Sequence, residues 1–240
     1  MSKTQQRGIA WVTGASRGIG RAIARALAAQ GYGVVASSRD VQACAPLVEE
    51  ARALGWTMHA VACDVRSEAS VREAHAWITA HVGVVSVLVN NAGVTRFTSF
   101  ETSALADFDE LIAVNLRGPF ICTKAVLPAM KQQRSGAIVM INSMAAREVF
   151  RDSAMYSATK AGLKLMTDCL RLEVRSSGIR VLGVYPGATH TDIWPERVRE
   201  KRGSAMMPPD RIGDAVASLL VVPEDTMIED VFMQPIGGPL

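Results

Sequence analysis

The 240-residue sequence lacks the pairings that would mark it as an extracellular or metal-binding chain. Its four cysteines, Cys44, Cys63, Cys122 and Cys169, are widely spaced with no C-x-x-C, and a reducing cytosol is the expected compartment. Its four histidines, His59, His75, His81 and His190, make no H-x-x-x-H pair, so no metal site is expected. No apolar run approaches the ~18 residues of a membrane span, and residues 1–7 lack the apolar stretch of a secretory leader. Neither charge sign dominates: 26 basic and 23 acidic residues leave a net +3, with no Lys/Arg stripe for nucleic acid. Aromatic residues are only 5% of the chain. What is abundant is ordinary: 49% hydrophobic and 20% charged residues exclude disorder and suit one well-filled domain spanning 1–240.

Short β-branched runs at 9–13, 33–38, 57–62, 84–89, 137–142, 180–185 and 228–233 alternate with longer helical stretches. Runs such as Val84, Val85, Val87, Leu88, Val89 lack polar alternation, as in strands covered on both faces. A helix is read at 19–30, closed by Gly31. The βαβαβ order predicts a single-domain α/β fold, a doubly wound (Rossmann-type) seven-stranded parallel sheet with helices on both faces. The least regular stretch, 187–209, carries Pro195, a charged cluster, Pro208 and Pro209. Its position after a strand suits a substrate lid, or a solvated loop.

The first strand runs into Thr13, Gly14, Ala15, Ser16, Arg17, Gly18, Ile19, Gly20 before a helix begins. Glycines at 14, 18 and 20 permit a tight turn and close approach to a pyrophosphate at the helix N-terminus. The spacing is G-x-x-x-G-x-G rather than the commoner G-x-G-x-x-G. After the second strand come Ser38, Arg39 and Asp40. A neutral residue followed by Arg suits the 2′-phosphate of NADP(H), favoured here over NAD(H), with Arg17 on its other side. The alternatives are that Asp40 fills the acidic role of an NAD site, and that either Arg is a plain solvent charge.

Ser143 follows the fifth strand, Tyr156 comes thirteen residues later, and Lys160 four after that. Tyr and Lys at i, i+4 share a helix face. A free tyrosine is ionised only about 0.1% of the time at neutral pH, and a nearby ammonium would stabilise its phenolate. Tyr156 is then the proton donor or acceptor, Lys160 its tuner, and Ser143 a hydrogen-bonding group for the substrate oxygen. Taken singly, Tyr-x-x-x-Lys is a common surface pair and a Ser after a strand is a common helix cap.

Together with the glycine turn, Asn90-Asn91-Ala92-Gly93 and Asn115, these residues resemble the short-chain dehydrogenase/reductase family over essentially the whole chain. The resemblance implies a proton relay through Asn115, which otherwise satisfies backbone groups at a kink before Gly118 and Pro119. It implies Asp64 and Val65 at the adenine, with a helix N-cap as the alternative for Asp64, and Asn91, Ala92 and Gly93 at the adenosine ribose. Pro186, Gly187 and Thr191 match the P-G-x-x-x-T turn that holds the nicotinamide carboxamide, and Thr189 lies within it. Thr189 and Met144 depart from the family's commoner Val or Ile and small residue.

Substrate-facing candidates are Val94, Arg96, Ala145, Arg147, Val149, Phe150 and Trp194. They suggest a mid-sized ketone or β-ketoacyl compound, with Arg96 or Arg147 as an anion handle or as rim charges. A homodimer or homotetramer is implied by resemblance. The function expected is an NADP-dependent carbonyl reductase or alcohol dehydrogenase. The alternatives are a 3-oxoacyl thioester reductase and a non-catalytic NADP-sensing protein.

Overall fold

A computed structural model describes residues 7–223 and 225–239; residues 1–6 of the amino-terminal segment considered above lie outside it. Seven strands form one parallel sheet in the order β3-β2-β1-β4-β5-β6-β7. They are β1 (Ile9–Thr13), β2 (Gly33–Ser38), β3 (Met58–Ala62), β4 (Val85–Asn90), β5 (Gly136–Ile141), β6 (Ile179–Pro186) and β7 (Asp230–Met233). β1 and β2 coincide with the expected runs, and the bounds of the other five differ from theirs by one or two residues, because pairing with neighbours, not hydrophobicity, sets where a strand ends.

Alternate residues of each strand serve opposite faces. Ala10 and Val12 of β1 join the core built with α1 (Gly18–Ala29), α2 (Ala45–Ala53) and α8 (Pro209–Leu220). Ile9 and Trp11 join the core on the other face, built with α3 (Glu68–His81), α5 (Gly118–Gln133) and α6 (Ala154–Val174). That double covering is why the strands read as continuous apolar runs. Trp11 is fully buried and satisfies its indole N–H on Ser37 Oγ at 2.9 Å.

Helix α4 (Leu105–Ile112) passes into α5 through a π-helical turn at Ala113–Arg117, which contains Asn115. Extra-residue turns of this kind re-aim a side chain within a continuing helix. The 187–209 segment is more ordered than its composition suggested. It carries the short helix α7 (Glu196–Arg202), and its base is closed where the His190 N–H donates to the Met207 carbonyl and the Met207 N–H to that of Ala188.

The buried Arg171 on α6 ties that helix to β7. It pairs with Asp168 at 2.9 Å and Asp230 at 2.8 Å, and donates to the carbonyls of Val181 and Glu229. A buried guanidinium is tolerated when partners take its donors in this way.

Candidate active site

Strands β1 and β4 neighbour each other while their chains wind outward in opposite directions, which opens a crevice at their carboxyl ends. A cavity of about 940 Å³ lies there. All the residues expected to touch a cofactor, from Gly14 on the first turn to Thr191 beyond β6, line it.

The turn after β1 holds Gly14 at φ +65° and Gly18 at φ +55°. A Cβ on Gly20 would collide with the Gly14 carbonyl oxygen and the Asn91 amide, and one on Gly14 would come 2.8 Å from Ala92 Cα. The side chain of Asn91 donates to the carbonyls of Thr13 and Gly14 at 2.9 and 3.1 Å, so it braces the glycine turn itself. Arg17, at the N-cap of α1, makes no side-chain cap, leaving the first N–H groups of that helix directed at the crevice. Both observations fit a dinucleotide pyrophosphate. The cavity-lining Asn142 fits an occupant too: its Nδ2 and Oδ1 are buried without a protein partner.

At the crevice end beside β2, Asp40 lines the cavity and its Oδ1 accepts from the Gln42 N–H at 3.0 Å, capping a short 3₁₀ turn. Ser38 and Arg39 line the cavity beside it. Asp64 does not cap α3; Ser67 does, accepting from the Ser70 N–H. Asp64 is gripped instead by Arg66, with Nε and Nη2 at 2.7–3.1 Å from its carboxylate oxygens. The Arg66 hydrogen bonds, aided by Arg39, hold its carboxyl below the usual carboxylate range. Arg66 lines the cavity and had no signal in the sequence beyond being basic. The exposed Arg17 lies 4.0 Å from Asp192 on the 187–209 segment.

Ser143 stands two residues past β5 and caps the 3₁₀ turn Met144–Ala146, accepting from the Ala145 N–H at 3.1 Å. Tyr156 lies in the first turn of α6, and Lys160 one turn later places Nζ 5.8 Å from the Tyr156 ring centre. That ammonium is buried and donates to the Ile141 carbonyl at 2.9 Å. Burial pushes the Lys160 pKa down to about 8. Burial also pushes the Tyr156 phenol up, and the group pulling it back is the Ser143 hydroxyl rather than Lys160. In both cases the cause is desolvation, which disfavours the charged form of each group.

Asn115 does not reach the cavity wall. Fully buried behind it, Asn115 accepts from the Val94 N–H and donates to the Val94 carbonyl, both at 2.9 Å, and donates to Thr159 Oγ1 at 3.2 Å.

Around Tyr156, Val94, Ala145, Phe150 and Trp194 line the cavity as expected. Three candidates do not. Arg96 turns away to pair with Asp107 at 3.3 Å and Glu110 at 2.8 Å. Arg147 lies over the Phe232 ring at 4.5 Å, and Val149 is 98% exposed outside the wall. Each arginine finds an acidic or aromatic partner on an element the sequence does not reveal as its neighbour. Phe97 was missed although it follows the singled-out Arg96 by one residue; nothing local distinguishes it. Its ring stacks on Trp194 at 5.3 Å and 12° and lies 6.5 Å from that of Tyr156.

A glycine-braced crevice joined to a Ser, Tyr and Lys wall defines an oxidoreductase scaffold of the dinucleotide-binding class. The short chain dehydrogenase family model matches residues 8–202, and the chain belongs to that family. It is 34% identical over 236 residues to a sepiapterin reductase of Chlorobaculum tepidum, covering 95% of this chain and 96% of that one. It is 40% identical over 187 residues to a 3-oxoacyl-acyl-carrier-protein reductase of Staphylococcus epidermidis, covering 77% and 76% of the two chains. Among solved structures, a metagenomic short-chain oxidoreductase in complex with NADP superposes with a TM-score of 0.85 at 35% identity, over 96% of this chain and 97% of that one.

Proposed function

We propose that this protein is an NADP(H)-dependent carbonyl reductase that interconverts a ketone and a secondary alcohol. The observation that carries the reading is a single cavity with the glycine turn at one end and Ser143, Tyr156 and Lys160 at the other. When bound, the nicotinamide dinucleotide supplies or accepts the hydride. Tyr156 gives its proton to the substrate oxygen as negative charge develops there, and the phenolate takes the alcohol proton in reverse. Ser143 donates a hydrogen bond to the same oxygen and holds it at the phenol. Lys160, fixed on the Ile141 carbonyl, lies one helical turn from Tyr156 and favours its ionised form as the reaction proceeds.

Preference for NADP(H) is supported by the neutral Ser38 and by Arg39, which lines the cavity and forms no ion pair among the described residues, while Asp40 Oδ1 is engaged as a cap. An NAD site would need that carboxylate for the ribose 2′-hydroxyl. We read residues 1–240 as one domain, with 187–209 as the lid. The cytoplasm is supported by four unpaired cysteines and by the absence, among the described residues, of a helix long and apolar enough to cross a membrane. A homo-oligomer built on α5 and α6 is supported by the exposed Phe120, Leu165 and Leu172 on those helices.

A second reading, 3-oxoacyl thioester reduction, is favoured by the likeness to the Staphylococcus protein. Neither Arg96 nor Arg147 lines the cavity where an anionic tail for it would lie.

The test follows oxidation of NADPH and of NADH by the purified protein against ketones, diketones, quinones and an acetoacetyl thioester. Turnover with NADPH, lost at least 100-fold in Tyr156→Phe, is expected. Tight NADPH binding with no turnover of any compound overturns the catalytic reading.

A further inference from the structure

We propose that Phe97 and Trp194 form an aromatic wall that selects flat, aryl-conjugated ketones over saturated ketones of the same size. The inference rests on the carbonyl-reductase reading above and names the substrate class that the site accepts.

The two rings come from chain segments 97 residues apart and meet face to face at 5.3 Å with their planes 12° from parallel. Both line the cavity beside Tyr156. Phe97 is held in place through its neighbour, since the Thr98 N–H donates to the Asp152 carbonyl at 2.8 Å. Trp194 is held by its own backbone: its N–H donates to the Thr191 carbonyl, and its carbonyl accepts from Arg199 Nε at 3.3 Å. These bonds anchor the backbone on both sides of the pair, and the two rings brace each other by stacking.

Phe97 remains 42% exposed although one face is covered by Trp194. Its ring centre is 6.5 Å from that of Tyr156 and tilted by 56°. A carbonyl whose oxygen lies at the phenol must direct a substituent along this wall. Met144, Phe150 and Ile193 add apolar lining to a cavity that Glu148, Arg151 and Asp152 also border, and the neighbouring Arg96 is withdrawn onto Asp107 and Glu110. A planar substituent gains offset stacking or edge-to-face contact there beyond its buried area. A saturated ring of equal carbon count gains only the area.

The experiment measures kcat/KM with NADPH for acetophenone and for cyclohexyl methyl ketone, in wild type, Phe97→Leu, Phe97→Tyr and Trp194→Leu. Wild type should favour acetophenone. Each Leu variant should lower the ratio of the two kcat/KM values roughly 3- to 10-fold, the worth of one aromatic contact, and Phe97→Tyr should restore it. An equal fall for both ketones, with the ratio unchanged within twofold, assigns the rings a merely structural role and overturns the proposal. A wild type inert to both ketones but active on acetoacetyl thioester overturns the aryl preference and leaves the oxidoreductase reading standing. Inertness to all three overturns both.

Discussion

Asn115 and Val94 exchange two hydrogen bonds, side-chain oxygen to backbone N–H and side-chain amide to backbone carbonyl, each 2.9 Å long. The π-helical turn that presents Asn115 thus anchors the segment leading from β4 to Phe97. Asn115→Ala leaves both Val94 groups unpaired. A loss of about 2–4 kcal/mol in unfolding free energy is expected, with lower kcat/KM as the Val94 segment loosens. A variant with wild-type urea stability would show that water replaces the amide at no cost.

The buried Lys160 makes stability depend on pH. Its pKa is about 8 in the folded chain against an ordinary 10.5. Between these values the unfolded chain binds more protons than the folded one, so stability rises with pH across that window. Relative to Lys160→Met, the wild-type protein should gain about 2 kcal/mol between pH 8 and pH 10. Paired denaturation curves at both pH values check this; a constant difference would place the folded pKa near its ordinary value.

Arg39 and Ser38 should govern cofactor choice. Arg39→Ala is expected to raise the KM for NADPH about tenfold and to leave that for NADH nearly unchanged, since one charge-assisted phosphate contact is lost. Ser38→Asp should reverse the preference by adding a 2′-hydroxyl acceptor. Equal effects of Arg39→Ala on both cofactors would move phosphate recognition to Arg17 or Arg66.

Arg171 joins α6 to β7 through Asp168 and Asp230. Its truncation to Ala leaves the partly buried Asp230 without its cation and costs about 3–5 kcal/mol. Thermal unfolding of the variant measures it. A small loss would mean that solvent reaches Asp230 once the arginine is gone.

The sequence by itself determined what local pattern can carry. The βα alternation, the glycine turn and the Tyr156–Lys160 spacing each depend on residues a few positions apart, where strand and helix periods dictate direction. It also placed the fold class, because alternating strand and helix periods leave strand ends and the following turns on one edge of a parallel sheet, while the family resemblance supplied the candidate residues at those ends that line the cavity. Only the tertiary structure decided where side chains beyond those ends point. Arg96 and Arg147 left the cavity for Asp107, Glu110 and Phe232, while Phe97 entered it to meet Trp194. Asp64 went to Arg66 and not to a helix cap, and the Asn91 side chain to the glycine turn. In each case the deciding partner lies on a loop or packed element whose position is fixed by the competition among many contacts, which neither spacing nor composition records.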